Sequence, residues 1–307
     1  LDVKFGKEWA VMQLELCGGL FGVPGYTCAG AVATFIVFLK AFLAGEHPTS
    51  KMQKVVRVAA AKLVKWSDAQ AATLDLCREH SVAKHIDRHI VRVLSSEDAD
   101  EIGSSVALLD EDIITFFRKF HAAFNEKGAQ YNTTQGFSHG DLHGGNVLLD
   151  VQDNVWLIDY ATTRRGPGLE DFSKLLCATL FMYVEAFEED ESAFEELCCR
   201  LAAVPSTSFD FPVSTSLPSD RMCRLEAFIS TLWPYMRAVE PESNGDPVVW
   251  GLLRFAVRMR TYAELKDAPG QRRRCVFLAT ACAVRLHADT SESRCEWYER
   301  AGQHWEA

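Results

Sequence analysis

Apolar residues recur at helical spacing over most of this chain and alternate in strand fashion only in short runs. Residues 9–16 (WAVMQLEL) partly alternate and predict a strand. A glycine-rich connection follows from residue 18 to 30, after which apolar spacing predicts a helix through Leu43. Helices are predicted again over 51–66, 67–80 and 82–94, and the polar stretch SSEDADEIGSS interrupts them as a loop. Asp110 then opens the helix DEDIITFFRKFHAAFNEKG. Its acids stand in the first turn and Lys-Gly at the end, which suits the helix dipole and the C-cap. Next come two short apolar runs, VLLD (147–150) and VWLID (155–159), joined by Val-Gln-Asp-Asn, and they predict a β-hairpin. From Glu170 helices dominate: the apolar EDFSKLLCATLFMYVEAF, then a proline-containing loop over 204–220, then helical segments around 221–239, 248–267, 271–289 and 293–306. No repeat or low-complexity tract interrupts this order.

The 307 residues suffice for one large domain or two of ordinary size, and 48% apolar with 24% charged residues predicts a packed core. A net charge of -10 argues against binding a nucleic acid backbone, and the Arg272-Arg273-Arg274 cluster reads as a solvated helix end. The ten cysteines show no CxxC and no zinc spacing, so they read as small buried thiols of a reducing, cytoplasmic compartment. Residues 16–39 carry no charge, but CGGLFGVPGYTCAG holds five glycines and a proline, so the segment predicts a core helix rather than a membrane span. The N-terminus lacks a basic stretch followed by an apolar one, so it is not read as a signal peptide. It reads instead as the interior of a longer chain.

Candidate chemistry gathers around the hairpin. The stretch FSHGDLHGGN (137–146) places Asp141 in a glycine-flanked loop, Asn146 at the start of the first strand, and Asp159 at the end of the second. Antiparallel pairing sets the start of one strand beside the end of the other, so Asn146 and Asp159 are expected as neighbours with Asp141 beside them. An amide oxygen and a carboxylate suit a hard cation such as Mg2+, and a second carboxylate is left to orient a nucleophile. His139 and His143 could join Asp141 around zinc, but no third His or Cys stands at suitable spacing. GDLHG is also similar to the opening of a metallophosphoesterase, whose later motifs are absent from the sequence.

HGDLHGGN, followed thirteen residues later by the Asp of LIDY, resembles the catalytic core of the protein-kinase-like superfamily. Within it, the resemblance is to the branch of aminoglycoside phosphotransferases and choline kinases, which carry HGDxHxxN. WLIDYA with the following GPGLEDFSKL also resembles the kinase-like module called ternary complex associated domain. The resemblance implies an α+β fold: a mostly helical kinase-like C-terminal lobe over 20–307, with its catalytic loop and hairpin at 137–161. Residues 1–19 would be the last strand of an N-terminal lobe and a hinge, the rest of that lobe being largely absent, since nothing before residue 9 supplies a Gly-rich loop or a strand Lys. The implied activity is phosphoryl transfer from ATP, with Mg2+, to a hydroxyl of a small molecule or another acceptor. The alternative is a non-catalytic module that binds nucleotide, or a partner, within a larger multidomain protein. Asp141 would be the base, Asn146 and Asp159 the metal ligands, His139 a brace of the loop, and His143 the residue near the transferring phosphate. Asp171 would hydrogen-bond the loop backbone, and the backbone of Glu15, Leu16 and Cys17 would meet the adenine. Gly140 stands where many protein kinases carry Arg, and Asp-Tyr-Ala at 159–161 replaces Asp-Phe-Gly. Trp233, Tyr235 and Trp250 read as core. The histidines at 47, 80, 85, 89, 121, 287 and 304 read as surface or capping residues, and FEEDESAFEE as a solvated helix junction.

Overall fold

The structure, a computed structural model, describes residues 33–91, 108–109, 111–150, 152–185, 188–203, 211, 219–241 and 245–287, together with a strand pair at 3–5 and 10–12. That pair, β1 (Val3–Phe5) and β2 (Ala10–Met12), is antiparallel. The next strand, β3 (Ala33–Thr34), runs into α1 (Phe35–Leu43), whose N-terminus Thr34 caps by accepting the Val37 N–H. The long α2 (Thr49–Ser67) follows and ends at Asp68 in the left-handed conformation. Then come β4 (Gln70–Asp75), the short α3 (Leu76–Glu79) and α4 (Val82–Ile86), which continues into a π-turn over Asp87–Val91.

Helix α5 (Ile113–Lys127) starts where the Asp112 carboxylate accepts the Ile114 and Thr115 N–H groups, both at 3.0 Å. It feeds β5 (Gln130–Ser138), the hairpin β6 (Val147–Leu149) and β7 (Val155–Leu157), and then β8 (Arg164–Pro167). Two three-stranded antiparallel sheets result, β3-β6-β7 and β4-β5-β8. The chain leaves the second sheet at the end of β5, crosses the first sheet as the hairpin, and returns to the second as β8. The segment 139–163 is therefore held at both ends by one sheet and in its middle by the other.

The remaining helices are α6 (Glu170–Ala178, extended by a π-turn over Thr179–Tyr183), α7 (Glu191–Ala202), α8 (Asp220–Val239), α9 (Asp246–Met259) and α10 (Pro269–His287). In this bundle α10 packs on α9 and α7, α9 packs on α6, and α2 lies along α8. Phe120, Phe124 and Tyr131 surround the fully buried Trp250, and Arg285 pairs with Asp246 at 2.8 Å inside the bundle. Helix α6 is buried along its whole length and is the central element on which the site is built.

The fold is α+β, with the predicted hairpin and the helix after Asp110 both present. Several expectations are corrected. Residues 67–80 form a strand and a short helix, because QAATLD pairs along its length with β5. The helix before Leu43 starts only at Phe35, since Ala33 and Thr34 pair with β6. Helix α9 ends at Met259, short of the expected 267, and a 3-10 turn follows at Ala263–Leu265. His80 is fully buried, its Nδ1 accepting from Arg254 Nη1 at 3.2 Å. Within the acidic run, Asp190 is buried because Ser219 and Arg221 both donate to it. Cys223 is exposed, whereas the other described cysteines are buried, and none of them is in a disulfide. Among the described residues no helix is long and apolar enough to cross a membrane. The strand expected at 9–16 is described only over Ala10–Met12. The Gly-rich connection over 18–30, the bulk of the 204–220 loop and the segment 293–306 lie outside the described residues.

Candidate active site

The loop between β5 and β6 is fastened from below by one carboxylate. Asp171, in the first turn of α6, accepts the His139 N–H at Oδ2 (2.6 Å), and the Gly140 N–H (3.1 Å) and the Ser138 hydroxyl (3.2 Å) at Oδ1. Burial pushes the Asp171 pKa up, the backbone N–H bonds pull it down, and the adjoining Glu170 carboxylate raises it. Glu170 is itself buried and clamped between Arg164 of β8 (2.6 Å) and Arg254 of α9 (2.7 Å). The start of α6 is thus fixed to strand and helix bundle alike, and Asp171 with it.

The same loop is fastened from the side to the segment after β7. The His139 ring is fully buried, and its Nε2 donates to the Ile158 carbonyl at 2.7 Å. That bond sets the tautomer and leaves Nδ1 buried with no hydrogen-bond partner among the described residues. The ring also packs on Tyr160, with centroids 5.0 Å apart. Thr162 Oγ1 donates to the His139 carbonyl at 2.9 Å. Gly140 has φ +77°, and a Cβ there would stand 2.5 Å from the Thr162 carbonyl oxygen, so both conformation and space require glycine. Farther along, the Gly144 N–H donates to the Tyr183 hydroxyl at 2.8 Å, and burial pushes that phenol up to about 12.

These bonds arrange the three oxygen donors. The Ile158 N–H donates to the Asn146 carbonyl at 3.0 Å, continuing the hairpin register, so Asn146 and Asp159 stand at one end of the hairpin. Asn146 Nδ2 donates to the Asp141 carbonyl at 2.9 Å, which fixes the amide and leaves its Oδ1 as the free acceptor. Asp159 is exposed, holds φ +61°, and makes no hydrogen bond or ion pair with any described residue. Aspartate enters the left-handed region more readily than most residues, and here its carboxylate is left facing solvent. Asp141 is ion-paired with Lys174 of α6; its side chain is 43% exposed while that of the lysine is 5% exposed.

His143 caps the 3-10 turn Gly144–Asn146, its Nδ1 accepting the Gly145 N–H at 3.1 Å. Burial lowers the His143 pKa, which Asp141 raises and Lys174 lowers further. His139, Asp141, His143, Asn146 and Asp159 therefore lie on one loop-and-hairpin unit, which Asp171 fastens from α6. Glu15, Leu16 and Cys17 lie outside the described residues. Lys174, Thr162 and Tyr183 were not anticipated. Of these, only Lys174 left a trace in the sequence, as the lone basic residue inside the apolar run DFSKLLCATLF.

As a metal set, Asn146 Oδ1 and the Asp159 carboxylate are hard oxygen donors, a type that could hold Mg2+ completed by water and phosphate oxygens. Among the described residues no three His, Cys, Asp or Glu side chains cluster as ligands. No curated protein matches the chain. The model of one protein family, ternary complex associated domain 9, matches residues 71–231, which contain the whole loop, hairpin and α6 platform. That match spans more than half of the sequence, and the chain belongs to the ternary complex associated domain 9 family.

Proposed function

We propose that this chain carries the catalytic lobe of an ATP- and Mg2+-dependent phosphotransferase of protein-kinase-like architecture. The observation that carries the reading is the fastening of the Asp141 loop to the hairpin. Asn146 is pinned to the Asp141 carbonyl and to Ile158, so that an amide oxygen and the unpaired Asp159 carboxylate share one end of the hairpin next to the loop that carries Asp141. Neither Asn146 Oδ1 nor the exposed Asp159 carboxylate has a partner among the described residues, and a metal-bound polyphosphate would use both together with Asp141.

In this reading Asn146 and Asp159 would hold a Mg2+ ion, which would supply positive charge to the phosphates of ATP. Asp141 orients the acceptor hydroxyl and takes its proton. The hydroxyl oxygen bonds to the γ-phosphorus, the bond from that phosphorus to the bridging oxygen breaks, and the electron pair leaves with ADP. The protein's contribution is position and charge. The buried Asp171 and His139 keep the loop from moving while charge shifts across it. The acceptor is a hydroxyl of a small molecule or of another macromolecule.

A second reading has one observation in its favour, the family name itself, which describes a domain associated with a ternary complex. It makes the chain a nucleotide- or partner-binding module without turnover. Titration calorimetry with ATP in the presence and absence of Mg2+ tests what both nucleotide readings share. Binding that requires Mg2+ and falls at least about tenfold in Asp159→Asn is expected. Equal binding with and without Mg2+, or in both proteins, would remove Asp159 from the metal site.

A further inference from the structure

We infer that Lys174 supplies the fixed positive charge of this site, acting as a positioning residue for Asp141. The inference rests on the phosphotransfer reading and adds to it a residue of α6 outside the motif. The Lys174 side chain is 5% exposed, and its neighbours Ser173, Leu175 and Leu176 are also buried. Asp141, its ion-pair partner, is 43% exposed on its side chain. The need is therefore one-sided. Water can solvate Asp141 without help, but a buried ammonium without an anion is costly, and an apolar residue would suit position 174 at least as well for stability. Packing does not account for a lysine here; a requirement for positive charge at the Asp141 carboxylate does.

The loop's other candidate cation does not meet that requirement. His143 uses Nδ1 to accept the Gly145 N–H, and burial lowers its pKa, so its ring is neutral at neutral pH. Lys174 also sits one helical turn past Asp171, on the element that fixes the loop backbone. One rigid helix thus sets both the path of the loop and the direction of its carboxylate. When Asp141 accepts the proton of the hydroxyl, its charge is lost and Lys174 loses its counter-ion.

The test compares Mg2+-dependent ATP turnover by the purified protein and its Lys174→Met, Lys174→Arg, Asp141→Asn and Lys174→Met/Asp141→Asn variants. Lys174→Met is expected to lower kcat about 100-fold while KM for ATP changes less than about threefold, the pattern of an interaction made in the transition state. Its melting temperature is expected to equal or exceed the wild-type value. Lys174→Arg is expected to recover at least about tenfold of the loss, and the double variant to be no slower than Asp141→Asn, because the pair acts as a unit. Unchanged kcat in Lys174→Met overturns the inference while leaving phosphotransfer standing. A wild-type protein without Mg2+-dependent turnover removes both. Should Lys174→Met fail to fold, Lys174→Arg decides: activity within about tenfold of wild type supports the charge role, and a loss as deep as that of Asp141→Asn overturns it.

Discussion

At the scale of single residues, the site depends on a few side chains whose geometry admits little substitution. Gly140 combines a left-handed φ of +77° with a closest approach of 2.5 Å between a hypothetical Cβ and the Thr162 carbonyl oxygen. Gly140→Ala must either shift the loop or displace Thr162, and both routes strain backbone. We expect a loss of about 2–3 kcal/mol in denaturant unfolding, against less than about 0.5 kcal/mol for an unstrained surface substitution. A loss within that smaller range would show that the loop can relax. Asp141, Asn146 and Asp159 were legible from the sequence because their spacing around two apolar runs imposes their proximity. Asp171 was legible only through resemblance. Lys174 and Tyr183 were not, because their partners lie 33 and 39 residues away and only the packing of α6 brings them together.

At the scale of elements, the platform matters more than the loop it carries. Glu170 joins β8, α6 and α9 through Arg164 and Arg254. Glu170→Gln would leave the Arg254 guanidinium buried beside a neutral group, a change that costs about 3 kcal/mol when a buried pair is broken from one side. Hydrogen exchange should then show faster opening of the His139 and Gly140 amides, whose acceptor Asp171 is the next residue along α6. Unchanged exchange at those amides would separate the clamp from the loop. The hairpin and α5 were readable because their signals are local: alternating apolar runs around a turn, and acids before an apolar stripe. β4 and β5 were not. QAATLD is largely exposed, small and alanine-rich, and QYNTTQGFS is mostly polar, so neither shows an apolar rhythm. They are strands because they pair with each other, about sixty residues apart, a long-range cause that local propensity cannot express.

At the scale of the whole molecule, the buried charges make stability depend on pH. His80 lies fully inside, between Arg254 and the Arg164–Glu170 pair, with Nδ1 accepting from Arg254. Burial, then the two arginines, lower its pKa well below 6.5. The unfolded chain therefore binds a proton near pH 6.5 that the folded protein refuses. Stability is complete above that value and is lost as pH falls below it, by up to about 1.4 kcal/mol per pH unit for one such group. Unfolding followed between pH 7.5 and 5.5 should show this slope, and His80→Asn should reduce it, the remainder coming from His85, His89 and His143, whose pKa values burial also lowers. An identical slope in both proteins would assign the acid sensitivity to other groups.

The α+β class and the helix-rich second half could be inferred from composition and periodicity, but not which helix lies at the centre. The apolar run after Glu170 fixes that choice, since among the described helices α6 is buried at every residue and carries both Asp171 and Lys174 to the loop. The direct test of the phosphotransfer account is release of ADP from ATP by the purified protein, with Mg2+ and with EDTA, in wild type and Asp141→Asn. The account predicts turnover that needs Mg2+ and falls at least about 100-fold in the variant. Equal rates in wild type and Asp141→Asn, or no turnover by a wild-type protein that binds Mg2+ and ATP, would contradict it.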